Sequence, residues 1–229
     1  MTSAEPQLVT AVRNHWWWRP GWGPGRHFYA CHITLDDQPQ LCALVKRYQD
    51  AMRHLPNLDL IPPQWLHITT QGIGFADEVS PADLAAVTAA IRERLLDLEL
   101  PTATFHRASI RPEAVLLKAD PPQPLYQLRI TVFDAMASVL GPDKFRKPRA
   151  DPRAAFTPHV SAAYASNDGP VEPIAGAISH LDPDPVTATF SAVSLLEIHR
   201  DRRMYEWTSA TPLPIGSDSH REPRLGLSN

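Results

Sequence analysis

Apolar residues in the first half of the chain recur with two periods, one typical of strands and one of helices. Residues 27–35 and 66–73 are short apolar runs, and each predicts a strand. After each run, apolar residues return every three or four positions, which predicts two amphipathic helices. The inner faces would be Leu41, Leu44, Val45, Tyr48, Met52 and Leu55 in the first helix, and Leu84, Val87, Ile91, Leu95 and Leu98 in the second. The first half therefore predicts the order strand, helix, strand, helix.

Cap and turn residues indicate where these elements end. Asp36 or Asp37 would cap the first helix, and Ser80, followed by Pro81, would cap the second. Two prolines at residues 62–63 indicate a loop before the second strand.

The second half repeats this order less regularly. Short strands are predicted near residues 102–108 and 114–119, before a helix whose apolar face would be Leu125, Leu128, Val132, Met136 and Leu140. Residues 156–164 predict another strand, and residues 188–198 with 204–211 predict a closing hairpin. Strands and helices do not alternate cleanly enough for one parallel sheet. We therefore expect an α+β fold of two lobes rich in antiparallel strands.

Composition divides the chain into three parts. Residues 1–26 predict an irregular arm, residues 27–215 a single two-lobed domain, and residues 216–229 a disordered tail. Aromatic residues in an arm commonly cover apolar surface, but such a cluster could also form a lid that stacks on nucleobases. Both interpretations are open for the four tryptophans of the arm, which are Trp16, Trp17, Trp18 and Trp22.

The charge balance argues against one class of partner. The formal net charge is −3 and the pI is near 6.3, whereas bulk binding of long nucleic acid needs a concentrated basic surface. A small or end-bound phosphate ligand is still allowed. Cys31 and Cys42 lack the spacing of a zinc site or of a disulfide framework. Since no leader or membrane span is evident, we expect a cytoplasmic monomer.

Two segments share a pattern that carries chemistry. In each, a histidine precedes a hydroxyl residue by two positions, with an apolar residue between them: His67-Ile68-Thr69 and His159-Val160-Ser161. Since side chains alternate faces along a strand, each histidine and its hydroxyl residue would point the same way. An imidazole can take or give a proton, and the hydroxyl can bind a phosphate oxygen. Two such strands facing each other would enclose one phosphate.

These paired segments resemble the signature of the 2H phosphoesterase superfamily, and in particular its branch of 2′-5′ RNA ligases and RNA 2′,3′-cyclic phosphodiesterases. The similarity covers roughly residues 27–214 and includes the opening strand and helix, the proline-containing approach to the first motif and the closing hairpin. Members are pseudo-symmetric, two-lobed α+β proteins. The resemblance therefore implies antiparallel-rich sheets around a central groove, with helices outside.

By this resemblance, His67 and His159 would be the catalytic pair, and Thr69 and Ser161 would bind the nonbridging phosphate oxygens. One neutral imidazole would take a proton from the attacking water, while the other, protonated, gives one to the departing ribose oxygen. The resemblance favours His67 as the acid and His159 as the base on a 2′,3′-cyclic phosphate. It implies no metal and no cofactor, and the ten histidines include no recognisable metal-ligand spacing.

Two positions depart from the family pattern. Ser161 stands where Thr is commoner, and Tyr164 stands five residues after His159, where the RNA-directed branch often has an Arg. Losing this guanidinium removes a bidentate phosphate contact, which Tyr164 could replace with a phenol donor. Arginines of the preceding loop could also substitute for it, namely Arg146, Arg149 and Arg153.

Two further residues lie near the motifs. Trp65, two residues before His67, could share its face and stack a nucleobase, or could pack at the start of the strand. His32 begins a third His-apolar-Thr segment. The opening strand carries no catalytic histidine in the family, so we expect a structural or surface role for His32.

The sequence thus predicts a phosphoric diester hydrolase that acts on 2′,3′-cyclic phosphates at an RNA terminus or on a small cyclic nucleotide. Weak 2′-5′ ligation would be the reverse reaction. The acidic pI and Tyr164 also suit a small ester such as ADP-ribose 1″,2″-cyclic phosphate. A noncatalytic module that binds RNA ends or nucleotides is the third interpretation, although a binder needs no titrating pair.

Overall fold

The computed structural model describes residues 9–142 and 157–217, so residues 218–229 of the predicted tail and the three arginines of the loop before β8 lie outside the described residues. The first residue of the predicted tail is held in place, because the amide of Gly216 donates to the carbonyl of Leu95 at 2.8 Å. In the described part, the helices are α1 (Pro39–Met52), α2 (Pro81–Leu95), α3 (Gln123–Leu140) and α4 (Glu172–Ile178), with a one-turn 3₁₀ helix at Pro63–Trp65. The strands are β1 (Ala11–Val12), β2 (Phe28–Thr34), β3 (Leu58–Leu60), β4 (His67–Phe75), β5 (Thr102–Phe105), β6 (Ala108–Arg111), β7 (Ala114–Lys118), β8 (His159–Ala165), β9 (Gly169–Pro170), β10 (Val186–Thr189), β11 (Ala192–His199) and β12 (Glu206–Pro214).

Eight of the described strands form one antiparallel sheet. Its order is β12-β11-β2-β4-β8-β7-β6, and β3 pairs with β8 beside this path. The two halves of the chain meet at the centre, where β4 and β8 pair through Ile68 and Val160. The flanking strands cross between the halves, because the C-terminal β11 pairs with β2 and the early β3 pairs with β8. The α+β fold with two antiparallel-rich lobes is therefore confirmed.

The helices cover one side of this sheet with the apolar faces that their spacing predicts. In α1 the buried residues are Leu41, Leu44, Val45, Tyr48 and Met52, and in α2 they are Val87, Ile91 and Leu95. Burying one such side chain contributes roughly 1.5–3 kcal/mol relative to leaving it exposed. Because one contiguous core joins these faces to the inner side of β4 and β8, the positions of the two motif strands are fixed by packing.

The ends of the helices differ from the prediction in one case. α2 begins as expected, with the hydroxyl of Ser80 accepting a hydrogen bond from the Asp83 amide at 3.1 Å. The prediction of Asp36 or Asp37 as the cap of α1 is wrong. α1 begins at Pro39, so the cap position falls on Gln38, which makes no side-chain cap bond.

The N-terminal arm lies across both lobes. β1 pairs with β9, and the amide of His15 donates to the carbonyl of Ala165 at 2.8 Å. Farther along, the amide of Gly25 donates to the carboxylate of Asp201 at 2.9 Å, in the turn between β11 and β12. Backbone bonds at both ends therefore hold the arm over one edge of the groove. None of the described helices is long and apolar enough to cross a bilayer.

Candidate active site

The two motifs line one cavity of about 570 Å³. Ile68 and Val160 are buried in the core, and the neighbouring histidines and hydroxyl residues lie on the opposite face of their strands. The residues that line the cavity are His15, Trp22, Phe28, Ala30, His32, His67, Thr69, Gly72, Arg111, Pro112, Glu113, Ala114, His159, Ser161, Tyr164, Ile198 and Tyr205. The structure thus brings together five of the six predicted site residues, all except Trp65.

A matching irregularity follows each motif. In the pairing of β4 with β2, Thr69 and Gln71 have partners but Thr70 between them has none. In the pairing of β8 with β7, Ser161 and Ala163 have partners but Ala162 between them has none. Each extra residue is a β-bulge, which reverses the alternation of faces beyond it. The residues five positions after the two histidines therefore face the cavity instead of the core. These residues are Gly72 and Tyr164.

Backbone carbonyls orient both imidazoles in the same way. Nδ1 of His67 lies 2.9 Å from the carbonyl of Trp65, and Nδ1 of His159 lies 2.7 Å from the carbonyl of Thr157. A carbonyl oxygen can only accept, so Nδ1 carries the hydrogen in each ring. Nε2 is then left for proton transfer, as the acceptor in the neutral ring and the donor in the charged ring.

Burial makes both histidines harder to charge. It lowers the pKa of His67 to about 4, against the opposing effect of the bond to the Trp65 carbonyl, and a charge on His159 lowers it further. Burial also lowers the pKa of His159, and the nearby Arg111 guanidinium adds to this effect. Both rings are therefore neutral in the free protein at neutral pH. A bound phosphate anion would raise both pKa values and allow one ring to be protonated.

A third imidazole packs directly on the first. The ring of His32 stacks on that of His67, with centroids 5.0 Å apart and planes 10° from parallel. Nδ1 of His32 lies 2.6 Å from the Cys31 carbonyl, and burial lowers the pKa of His32 to about 3. The sequence predicts a structural or surface role. The structure shows that His32 is buried and also forms part of the cavity wall.

The end of the cavity near β8 is polar. His15 stacks on Tyr164 with ring centroids 4.1 Å apart, and its Nδ1 lies 3.2 Å from the carboxylate of Glu113. Nε2 of His15 and the hydroxyl of Tyr205 are 3.2 Å apart. Burial, reinforced by the positive charge of Arg19, lowers the pKa of His15 to about 4. Tyr164 is itself buried, and burial raises the pKa of its phenol.

The end of the cavity near β4 is apolar. The ring of Phe28 covers Gly72 so closely that an added Cβ would lie 2.8 Å from a ring carbon. Trp22 and Phe75 pack around Phe28, with centroids 5.4 and 5.0 Å from its ring. The cavity therefore has a polar end and an aromatic end, with the two motif histidines between them.

Trp65 is not part of the cavity wall. It lies in the 3₁₀ helix before β4, and its ring packs edge-to-face against Trp207 with centroids 4.7 Å apart. The alternation that would align it with His67 does not extend to Trp65, because β4 begins at His67. Its carbonyl instead orients that imidazole. A role for Trp65 in stacking a nucleobase stays a prediction.

Sequence reasoning missed four polar residues of the cavity, namely His15, Arg111, Glu113 and Tyr205. They lie in the arm and near the turns β6–β7 and β11–β12, where no periodicity indicates a direction. Arg111 at the end of β6 and Glu113 in the two-residue turn after it were the one available signal, a pair of opposite charges between two strands. Among the described residues, no three His, Cys, Asp or Glu side chains are grouped as a metal site requires.

The fold and the paired histidines define the class of protein. Residues 37–202 match the family model described as the 2′-5′ RNA ligase superfamily. The chain belongs to this superfamily, which consists of 2H phosphoesterases. No curated protein matches the chain.

Solved structures share the fold. TT0787 of Thermus thermophilus has a TM-score of 0.58 and 21% sequence identity, over 82% of this chain and 97% of that one. E. coli LigT complexed with NADP+ has a TM-score of 0.52 and 17% identity, over 83% of this chain and 99% of that one. E. coli LigT complexed with 3′-AMP has a TM-score of 0.50 and 18% sequence identity, over 83% of this chain and 98% of that one.

Proposed function

We propose that the protein is a metal-independent phosphodiesterase that hydrolyses 2′,3′-cyclic phosphates at RNA ends or on nucleotides. The observation that carries this proposal is the pair of imidazoles on adjacent strands, each with Nδ1–H donated to a backbone carbonyl. This leaves Nε2 of His67 and of His159 for two proton transfers at one cavity. The ligands named for LigT, NADP+ and 3′-AMP, support a nucleotide as the ligand class.

In the proposed reaction, neutral His159 takes a proton from water as the water oxygen bonds to phosphorus. Protonated His67 gives its proton to the ribose 3′ oxygen as the bond from that oxygen to phosphorus breaks. The product is a 2′-phosphate, and the two histidines have exchanged protonation states. Each proton transfer typically contributes ~10²–10⁴ in rate, and because two imidazoles supply both, the reaction needs no metal ion.

Hydroxyls and a cation can bind the phosphate oxygens. Thr69 is exposed to the cavity and Ser161 is buried beside Tyr164, whose phenol it contacts. Arg111 lies close enough to His159 to lower its pKa. We assign Arg111 the electrostatic part that a guanidinium five residues after His159 plays in relatives, since Tyr164 occupies that position.

The proposal is tested by hydrolysis of 2′,3′-cyclic mononucleotides in excess chelator. His67→Ala and His159→Ala should each lower kcat by about 10²- to 10⁴-fold, because each removes one proton transfer. His180→Ala is the matched control, since His180 is exposed and outside the cavity. Identification of the product isomer then tests which ribose oxygen leaves, because departure of the 3′ oxygen gives a 2′-phosphate. Loss of turnover in chelator that zinc or manganese restored would contradict the proposal.

A small cyclic ester such as ADP-ribose 1″,2″-cyclic phosphate is the second candidate. The buried Tyr164 favours it, because this residue removes the guanidinium that the RNA-directed branch often has. Turnover of this ester by wild type, without turnover of the 2′,3′-cyclic mononucleotides, would replace the first candidate by the second.

A further inference from the structure

Two adjacent tryptophans of the arm are exposed. Trp17 is 48% exposed and Trp18 is 47% exposed, and the other large exposed apolar side chains of the described residues are Leu96 and Val139. Single exposed apolar side chains are ordinary on protein surfaces. Trp17 and Trp18 are successive residues and together expose more apolar area than a single side chain does, and large exposed apolar surfaces commonly mark binding sites.

These indoles are held in place although they are exposed. The indole N–H of Trp17 donates to Glu113 at 3.2 Å, and that of the preceding Trp16 donates to Asp59 at 2.7 Å. The guanidinium of Arg200, which is buried, donates to the carbonyl of His15 at 3.2 Å. Because the arm is already ordered, a ligand that stacks on Trp17 loses little free energy in ordering the protein.

Trp17 contacts the wall of the cavity that holds the two motif histidines. Glu113, which accepts the bond from Trp17, is part of the cavity wall. Trp18 lines a second, smaller cavity of about 280 Å³ together with Arg200 and Arg203. An aromatic surface therefore leads away from the site proposed for the terminal phosphate.

Guanidinium groups accompany the two exposed indoles. The guanidinium of Arg19 lies over the ring of Trp17 at 5.0 Å from its centroid, and Arg203 lines the smaller cavity with Trp18. Both guanidiniums also pair with carboxylates, Arg19 with Glu113 at 2.6 Å and Arg203 with Asp59 at 3.3 Å. Alternating aromatic and basic groups are the combination that binds single-stranded nucleic acid, because bases stack while phosphates pair with cations. The formal net charge of −3 argues against a long nucleic acid, so the surface fits a few nucleotides.

We propose that Trp17 and Trp18 stack the nucleotides that precede the terminal cyclic phosphate of a single-stranded RNA. This inference rests on the proposed function and narrows its substrate to RNA ends over mononucleotides. The arm would then contribute substrate preference, while the two motif strands contribute the chemistry.

The test compares kcat/KM for an RNA hexamer that ends in a 2′,3′-cyclic phosphate with kcat/KM for 2′,3′-cyclic CMP. Wild type should prefer the hexamer. Trp17→Ala and Trp18→Ala should each lower the ratio of the two values by about 5- to 150-fold, which corresponds to the ~1–3 kcal/mol that stacking contributes per base. Leu96→Ala removes a comparably exposed apolar side chain elsewhere and should keep the wild-type ratio.

Trp17→Phe separates stacking from the hydrogen bond to Glu113. The substitution keeps an aromatic face but removes the indole N–H, so it should retain most of the preference for the hexamer. A ratio as low as that of Trp17→Ala would show that the effect passes through Glu113, and would overturn the stacking inference. An unchanged ratio in both alanine variants would also overturn it.

A binding measurement keeps the inference testable without turnover. Wild type should bind the RNA hexamer with a terminal 2′-phosphate more tightly than Trp17→Ala or Trp18→Ala do, as measured by fluorescence anisotropy. If wild type hydrolysed neither substrate but bound the hexamer in this way, the proposed function would fail and the stacking surface would stand. Equal binding by wild type and both variants would overturn the stacking surface alone.

Discussion

At the scale of single residues, the two motif histidines share the same ring orientation and the same direction of pKa shift. Each offers Nε2 to the cavity, and burial lowers the pKa of each below the ordinary value near 6.5. The proposed reaction requires one ring neutral and the other protonated, and that combination is most populated at a pH between the two pKa values. The lowered pKa values therefore determine the pH at which the free enzyme is active.

We predict that kcat/KM is a bell-shaped function of pH with its maximum below 6.5. It falls at higher pH because the acid has lost its proton in the free enzyme. The phosphate charge raises both pKa values in the complex, so the maximum of kcat should lie at a higher pH than that of kcat/KM. Steady-state rates on a cyclic mononucleotide from about pH 3.5 to 9 measure both profiles, since the lower limb lies near the pKa of about 4 of free His67. A steady rise of kcat/KM over this range would contradict the assignment of an acid and a base.

His32 is predicted to act on His67 through ring stacking. His32→Ala leaves a void behind that imidazole, so we expect kcat to fall by roughly 10- to 100-fold as the ring loses its position. KM should change little, because the phosphate contacts stay. His32→Phe keeps a flat ring at 5.0 Å and should restore most of the rate. Full activity in His32→Ala would support the purely structural role that the sequence indicates.

The sequence predicts the motif residues of the site because each lies on a strand with a clear alternation. It does not predict His15 or Glu113, since the arm and the β6–β7 turn have no period that tells which way a side chain points. Tyr164 was assigned to the site by family position. Strict alternation from His159 would have turned it into the core, and the bulge at Ala162 turns it back. A single unpaired residue is not visible in a pattern of polar and apolar positions.

At the scale of elements, the matching bulges give the two lobes different cavity walls. The positions five residues after the histidines are equivalent, yet one holds Tyr164 and the other Gly72. Gly72 has no side chain, and the ring of Phe28 on the neighbouring strand β2 fills the space beside it. The aromatic residue of the cavity wall therefore comes from β2 in one lobe, whereas in the other lobe it is Tyr164 on β8 itself.

We predict that Gly72→Ala forces the ring of Phe28 out of place. The new Cβ would lie 2.8 Å from that ring, and overpacking of this kind typically costs about 1–3 kcal/mol in the free energy of unfolding. Phe28→Leu in the same chain removes the obstacle and should recover much of this loss. Urea unfolding of the two single variants and the double variant measures the coupling. Additive effects would show that the two residues do not press on each other.

Helices were easier to predict than strands at this scale. The apolar faces of α1, α2 and α3 span three or more turns, so their period is unambiguous. The seven-residue α4 and the two-residue β1 and β9 were not predicted, because segments this short carry no measurable period. The cap of α1 was misplaced by one or two residues, which is the ordinary scale of uncertainty at helix ends.

At the scale of the whole molecule, the buried imidazoles of the cavity make the stability of the fold depend on pH. Burial lowers the pKa to about 4 for His15, about 3 for His32 and about 4 for His67. In the unfolded chain, these histidines titrate near 6.5. Between the folded and unfolded pKa values, the unfolded state binds more protons than the folded state. Folding stability therefore rises with pH in this window and is lost as the pH falls through it.

We predict that the free energy of unfolding falls by a few kcal/mol, in order of magnitude, between pH 7 and pH 5, since each pKa unit corresponds to about 1.4 kcal/mol per group. Urea unfolding at half-unit steps measures the slope, which should approach the uptake of about three protons near pH 5. Carboxylates titrate mainly below this range, so they do not produce the slope. His32→Phe removes one buried imidazole and should reduce the uptake by about one proton. A stability that was constant from pH 7 to pH 5 would mean that these histidines are charged as easily in the folded protein as in water, and the neutral, buried pair on which the mechanism rests would have to be abandoned.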